Sequence, residues 1–380
     1  MDAESDWNEF YERRIVRIPE VTRKKMNFKI GEFISLRCFD KSFITLQVSE
    51  AFREDALTNQ ECGYLTSYTY KKIIGDDTDY SEVSRVTGIT LGCDPEAFLV
   101  DARTGDIVMA HRLMSKYGEV GNDGALIEFR PTPSVSERTV TLNIAKLIRK
   151  ARYIIERCNT NRQIIILSAS SFKGLTAGFH LHYGLPARLL NIGTRTPQWR
   201  IATLMTDAFD YYIGVPSIIP EGNEDHARRS TKYIRYGKPG EFRLDNSTFE
   251  YRLPGGINLR HPTLTCGLLA LGAVVVEDLV SRLNTSTDYF SKLEEIGTRE
   301  DIKMLYPNLP TTEQLCAIIC NPNIAPAKKH LQLIREDVRK MVGYKERESV
   351  LEYYFNCLEQ DLKYNNNLEA NWGGLSNAEQ

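Results

Sequence analysis

From Gly88 onward the chain is organised by the alternation of apolar and polar positions. "GITLGCDPEAFLVD" (88–101) and "TGDIVMA" (104–110) read as two strands, with "DARTGD" supplying the turn chemistry of a hairpin between them. After a glycine-rich link, "YGEVGNDG", a further strand is expected in "GALIEFRP" (124–131). "SVSERTVTLNIAKLIRKARYIIERC" then changes to helical period: Val140, Ile144, Leu147, Ile148, Ala151, Ile154 and Ile155 form one stripe, and Ser136 is placed to cap it. "RQIIILSAS" and "AGFHLHYGLP" read as strands, and "PQWRIATLMTDAFDYYIG" as a helix with Pro197 near its start. Two polar-decorated strands follow, around "GEFRL" and "TFEYRLP". From Pro262 to about Leu368 the chain reads as mainly helical, broken at "YPNLP" and "NPNIAP".

The first 86 residues differ in texture, with short alternating segments ("EFISLRCF", "FITLQVS", "GYLTSYTYKKIIG") and then an acidic run, "DDTDYSEVS". This predicts a small β-rich accessory module over 1–86, joined by a linker to a larger domain over 87–368 with a helical C-terminal part. The polar tail, 369–380, is expected to fray.

One spacing recurs. In a strand, residues i and i+2 share a face, about 6.5–7 Å apart. Asp94 and Glu96, Glu128 and Arg130, His180 and His182, Glu241 and Arg243, and Glu250 and Arg252 all have it, each beside apolar residues of the opposite phase. A single Glu-x-Arg pair describes an ordinary solvated strand face. Five in one region instead predict neighbouring strands with a charged, wet face and an apolar face turned to helices. Converging carboxylates and imidazoles suit hard divalent cations, and arginines on the same face suit phosphate oxygens. His-x-His taken alone would suggest zinc, but no third nitrogen or thiolate ligand lies at short spacing.

Composition narrows the classes. With 380 residues, 42% hydrophobic and 26% charged, the chain has room for a large core or two domains. A net charge of -2 without a long basic run gives no electrostatic case for nucleic acid or a membrane surface. The eight cysteines are scattered; Cys316 and Cys320 form the closest pair, without a matching second pair. The start of the chain lacks a basic-then-apolar signal, so a cytoplasmic location with reduced thiols is expected. "CGLLALGAVVV" (266–276) is shorter than the roughly 20 residues that span a bilayer and reads as a buried helix.

"GCDPEAFLVD", "GALIEFRPTPS", "GFHLHYGLP" and "RRSTKYIRYGKPGEFR...TFEYRLPGG" together resemble, in order and spacing, the carboxylate-amine ligases of the glutamine synthetase and glutamate-cysteine ligase superfamily, most closely the phage-encoded COOH-NH2 ligases. The resemblance covers about residues 88–285. It implies an α+β fold: a curved antiparallel sheet forming a funnel, helices packed on its outer face, holding ATP and two or three Mg²⁺ or Mn²⁺ ions. It implies amide or isopeptide formation through an acyl phosphate, with small-molecule or peptide acids and amines as substrates and the host cytoplasm of a bacteriophage as the setting. Relatives often assemble, so a homo-oligomer is consistent with it.

Carried onto this chain, the resemblance makes Asp94, Glu96, Glu128, His182 and Glu250 metal ligands, and Arg252, Arg243 and His182 the groups nearest the chemistry. Arg130, His180, Arg229, Arg235 and Lys238 would sit beside the nucleotide; Tyr236 shares their motif without an assigned role. Asp94 stands where many relatives outside the phage group have Glu, one methylene longer. The loop "PEGNEDHARRSTKYIRYGKPGE" is expected to act as a lid. Two other readings stay open from the residues: a metal-dependent phosphotransferase or hydrolase using the same cluster, and a non-enzymatic binding or structural protein on this scaffold.

Overall fold

The computed structural model describes residues 15–18, 23–24, 27, 29–30, 33–37, 43–50, 89–158, 163–184, 202–203, 205–223, 225–230, 237–244, 248–285, 302–303, 305–360, 362 and 364–373. The chain divides into two compact units, Met1–Arg85 and Val86–Gln380. In the first, β1 (Ile15–Ile18), β2 (Phe33–Arg37) and β3 (Phe43–Glu50) form a sheet of order β1-β3-β2, with β1 parallel and β2 antiparallel to β3. The expected strands of "EFISLRCF" and "FITLQVS" are β2 and β3; "GYLTSYTYKKIIG" and the acidic run lie outside the described residues.

The second unit is built on β4 (Thr90–Asp101), β5 (Val120–Asp123), β6 (Leu126–Phe129), β7 (Ile164–Leu167), β10 (Phe179–Gly184), β11 (Phe242–Leu244) and β12 (Thr248–Tyr251); β8 (Ser171–Phe172) and β9 (Leu175–Thr176) make a separate small hairpin. The strand order is β11-β12-β10-β4-β6-β5, antiparallel throughout, with β7 pairing the far half of β4. β4 is the spine. Its first half pairs with β10 and its last four residues with β7, while Glu96 and Ala97 pair with β6.

Period-two alternation sorts the side chains. Cys93, Ala97, Ile127, Phe129, Phe179, Leu181, Tyr183, Phe249 and Tyr251 turn to one side and are buried. There they join a core shared with α1 (Glu137–Arg157) and α2 (Pro262–Thr285). Ser136 caps α1 as expected, accepting from the Thr139 N–H at 3.4 Å, and the stripe is buried except for Ile154, which is half-buried. Phe209, from the helical segment 205–217, packs edge-on against Tyr183, Phe249 and Tyr251, with ring centroids 5.2–5.4 Å apart. This aromatic nest fixes β10 and β12 from behind.

α2 contains the apolar run 266–276. Its stretch Pro262–Arg282 is long and apolar enough to cross a membrane, with a mean hydropathy of 1.8, but 83% of that stretch's most apolar window is buried within the protein. It is a core helix, covered by α1 and by α5 (Tyr344–Glu359). α3 (Thr312–Ile319) opens on a capping box between Thr311 and Gln314, and α4 (Ala325–Val338) follows the "NPNIAP" break with Pro326 in its first turn.

Three sequence expectations are corrected. "TGDIVMA" meets β4 only at the bridge Val100–Ile107, because the Asp101–Asp106 turn closes the hairpin and the chain then leaves it. "YGEVGNDG" is not merely a link; it contains β5, which pairs with β6. The start of the tail does not fray: α6 (Leu368–Trp372) is capped by Asn367 and anchored by buried Leu368 and Trp372, and the Trp372 indole N–H donates to the Leu259 carbonyl at 2.9 Å.

Candidate functional site

Sheet register brings together what the sequence shows only as spacing. His180 lies opposite Asp94, His182 opposite Glu250, Arg243 also opposite Glu250, and Glu96 opposite Glu128. Directly opposed residues share a face, so the five polar pairs occupy one side of the sheet, opposite the helices. That face is less wet than alternation suggested, since Glu96, His180 and Glu250 are buried.

At its centre Asp94, His182 and Glu250 each offer a ligand atom, and these atoms lie within 4.8 Å of one another. His182 Nε2 is 3.1 Å from Asp94 Oδ1. His180 Nδ1 is 3.4 Å from the same oxygen and 3.6 Å from Glu250 Oε1. Glu250 is further held by Arg252 Nε at 3.0 Å and Arg243 Nη1 at 3.2 Å. Burial by itself would raise the Asp94 pKa, but the two imidazoles beside it outweigh that and hold the carboxyl well below its usual range. Burial likewise opposes the charged form of His182, yet contact with Asp94 and the charge of Glu250 keep its pKa above the ordinary value.

The second acidic pair borders this centre. Glu96 accepts the Gly178 N–H at 2.6 Å, and burial raises its pKa although that hydrogen bond and the nearby charge of Arg228 oppose the shift. Glu128 is ion-paired with Arg130, whose other arm donates to the Gly118 carbonyl at 2.9 Å. Burial, reinforced by Asp94 and Glu96, pushes the Glu128 pKa up to about 7 against the pull of Arg130.

Other sequence candidates are placed elsewhere. Arg229 is buried in an ion pair with Glu221, 2.8 Å away, and donates to the Asn321 carbonyl at 2.8 Å, so it fastens the loop to the helical layer rather than facing the carboxylates. Lys238 lies in the turn before β11, where its carbonyl accepts from the Glu241 N–H, and its charge is felt at Cys320. Arg235 and Tyr236 lie outside the described residues. The first part of the expected lid is anchored: Asp225 accepts from the backbone N–H groups of Ser170 and Ser171, and Arg228 and Arg229 are buried. Arg228, which the sequence reading passed over, is the loop residue that reaches the site, with Nη2 3.4 Å from His180 Nε2. No periodic signal marks it.

Asp94 Oδ1 and His182 Nε2 are shut off from solvent without a hydrogen-bond partner of good geometry among the described residues. Two carboxylates and an imidazole converging with such atoms fit a divalent cation of the Mg²⁺ or Mn²⁺ type. The Cys93 thiol turns to the opposite, apolar face, where burial raises its pKa, so it does not compete as a soft ligand.

An antiparallel sheet carrying acid, imidazole and guanidinium on one face and helices on the other is the setting in which the comparisons fall. The sequence profile described as phage phiEco32-like COOH.NH2 ligase-type 2 matches residues 91–318, and the chain belongs to this family of carboxylate-amine ligases. No curated protein sequence matches the chain. Among solved structures, it is similar to a bifunctional glutathione synthetase from Pasteurella multocida, with TM-score 0.38 and 11% identity over 75% of this chain and 57% of that one. It is also similar to a protein described as a novel glutamine synthase homolog, with TM-score 0.40 and 10% identity over 95% of this chain and 89% of the other. The chain thus spans little more than half the length of the glutathione synthetase.

Proposed function

We propose that the chain is an ATP-dependent ligase that activates a carboxylate as an acyl phosphate and passes it to an amine, forming an amide or isopeptide bond. Within this family, the observation that carries the reading is the convergence of Asp94, His182 and Glu250, with Arg243 and Arg252 braced on Glu250. In the proposed reaction a carboxylate oxygen of the acid attacks the γ-phosphorus of ATP and ADP leaves. The amine then attacks the acyl carbon, inorganic phosphate leaves, and the amine gives up a proton.

Asp94, His182 and Glu250 would hold a divalent cation, with Glu96 and Glu128 flanking. Such an ion supplies charge neutralisation for phosphoryl transfer. Arg252 and Arg243 lie where guanidinium N–H groups can donate to phosphoryl or carboxylate oxygens, and Arg130 lies further along the same face beside Glu128. Low dielectric around buried Glu96, His180 and Glu250 strengthens these contacts and keeps water from an acyl phosphate.

The test is ADP release by the purified chain with Mg²⁺-ATP and pools of amino acids or peptides as acid and amine. ADP release requiring both pools, with ¹⁸O passing from labelled carboxylate to phosphate, supports the ligase. ADP release indifferent to any amine overturns it in favour of a phosphotransferase or hydrolase.

A further inference from the structure

Arg228 has a position that the proposed chemistry does not explain. It lies in the short helical turn Ala227–Ser230, is 2% exposed, and has no carboxylate at ion-pair distance among the described residues. The carboxylates of Glu96 and Glu221 favour its charge without touching it, and a buried guanidinium held only by such longer-range attraction is costly to fold around. Its contacts show what that cost secures. Nη2 donates to the Arg252 carbonyl at 3.0 Å and lies 3.4 Å from His180 Nε2. It thereby ties the loop to the strand that carries His180 and His182 and to Arg252, which directly follows the strand of Glu250.

Two glycines make the room. A Cβ on Gly178 would stand 2.4 Å from His180 Nε2 and 2.9 Å from Arg228 Nη2, and one on Gly237, where φ is +82°, would stand 2.7 Å from Arg228 Cγ. No other side chain fits either position without displacing the arginine or the imidazole.

An arginine N–H can only donate, so the nitrogen it faces must accept. With Nε2 the acceptor, the ring proton of His180 sits on Nδ1, the nitrogen that faces Asp94 Oδ1 at 3.4 Å and Glu250 Oε1 at 3.6 Å. We infer that Arg228 is a positioning residue: it fixes the ring orientation and tautomer of His180 and, through the Arg252 backbone, the setting of the Asp94–His182–Glu250 cluster. The inference deepens the site proposed above and rests on that reading for its relevance to catalysis. Its main test is independent of turnover.

The full chain labelled with ¹⁵N-histidine is examined by long-range ¹H–¹⁵N correlation at one fixed pH, the His180 signals being assigned by their loss in His180→Asn. In the parent protein His180 shows an acceptor-type Nε2 and a protonated Nδ1. In Arg228→Met this pattern shifts to the other tautomer or a mixture, while His261 and His330, outside the site, keep their signals and report an intact fold. Mn²⁺ affinity, followed by electron paramagnetic resonance, falls roughly tenfold, as for loss of a group that orients a ligand set. Arg228→Lys, whose ammonium keeps the charge and the donors but on a side chain one bond shorter, lies between the two and replaces Arg228→Met if that variant does not fold. An unchanged His180 tautomer, or unchanged Mn²⁺ affinity, in a folded variant overturns the inference. An altered tautomer in a protein that makes no amide overturns the ligase reading and leaves the positioning role standing.

Discussion

His182 Nε2 and Asp94 Oδ1 lie 3.1 Å apart on neighbouring strands, both atoms shut away from water. The two are not directly opposed in register, since His182 faces Gly92. The missing side chain at Gly92 leaves room for the imidazole to lean along the strand toward Asp94; a Cβ there would touch that of His182 at 3.4 Å.

Asp94→Asn removes one of the charges that make this centre attractive to a cation. Binding of Mn²⁺ is expected to weaken by at least about tenfold, with a correspondingly smaller rise in melting temperature on adding the ion. Calorimetric titration checks this, and undiminished binding would remove Asp94 from the cation site.

Glu250 is buried between Arg243 and Arg252. Glu250→Gln leaves Arg252, itself largely buried, facing a neutral amide, and a loss of on the order of 3 kcal/mol is expected. Arg243 is mostly exposed, so Arg243→Gln is expected to cost under about 1 kcal/mol. Urea denaturation midpoints compare the two; equal losses would contradict the burial argument.

Gly178→Ala places a methyl 2.4 Å from His180 Nε2. Destabilisation of about 1–3 kcal/mol is expected from the forced shift, together with weaker Mn²⁺ binding. A fully stable variant with parental Mn²⁺ affinity would show that the imidazole is free to move.

Glu352 lies outside the site, in the helical layer. Arg339 donates to it, with Nε 2.8 Å from Oε1; burial works the other way, but Arg335 and the Tyr344 hydroxyl, 2.6 Å away, add to the effect, and its pKa falls well below the ordinary value. A carboxyl depressed in the folded state contributes stability that is full above its unfolded value of about 4.3 and is lost as pH falls through the lower folded value. Between roughly pH 5 and pH 2, Glu352→Gln is therefore expected to lose less stability than the parent. Chemical denaturation at a series of pH values measures it, and parallel pH profiles would count against the link.

Trp372→Ala removes a buried indole and its hydrogen bond to the Leu259 carbonyl. The expected cost is about 3–5 kcal/mol, read from the denaturation midpoint.

Much of the site was legible because strand alternation fixes which residues share a face without reference to tertiary structure. Asp94 with Glu96 and His180 with His182 follow from that alone. What alternation cannot supply is register, and it is register that sets Glu250 opposite His182 and Arg243. Arg228 and Arg229 are consecutive on one short turn and have indistinguishable local sequence, yet one reaches His180 and the other Glu221. β5 was hidden because "VGND" has low strand propensity and is held by pairing with β6. α6 was hidden because two buried anchors, Leu368 and Trp372, are set in a polar run too short for a period to show.

The long apolar helix α2 has a consequence for synthesis and for dissection of the chain. The family match ends at residue 318, whereas one cover of this helix, α5, is Tyr344–Glu359. A fragment trimmed to the match would present part of Pro262–Arg282 to water, and a chain still on the ribosome does the same until the later helices emerge. Exposed apolar surface of this kind favours aggregation. Insolubility of the fragment would report a missing lid on the core, not a defect in the carboxylate and histidine strands.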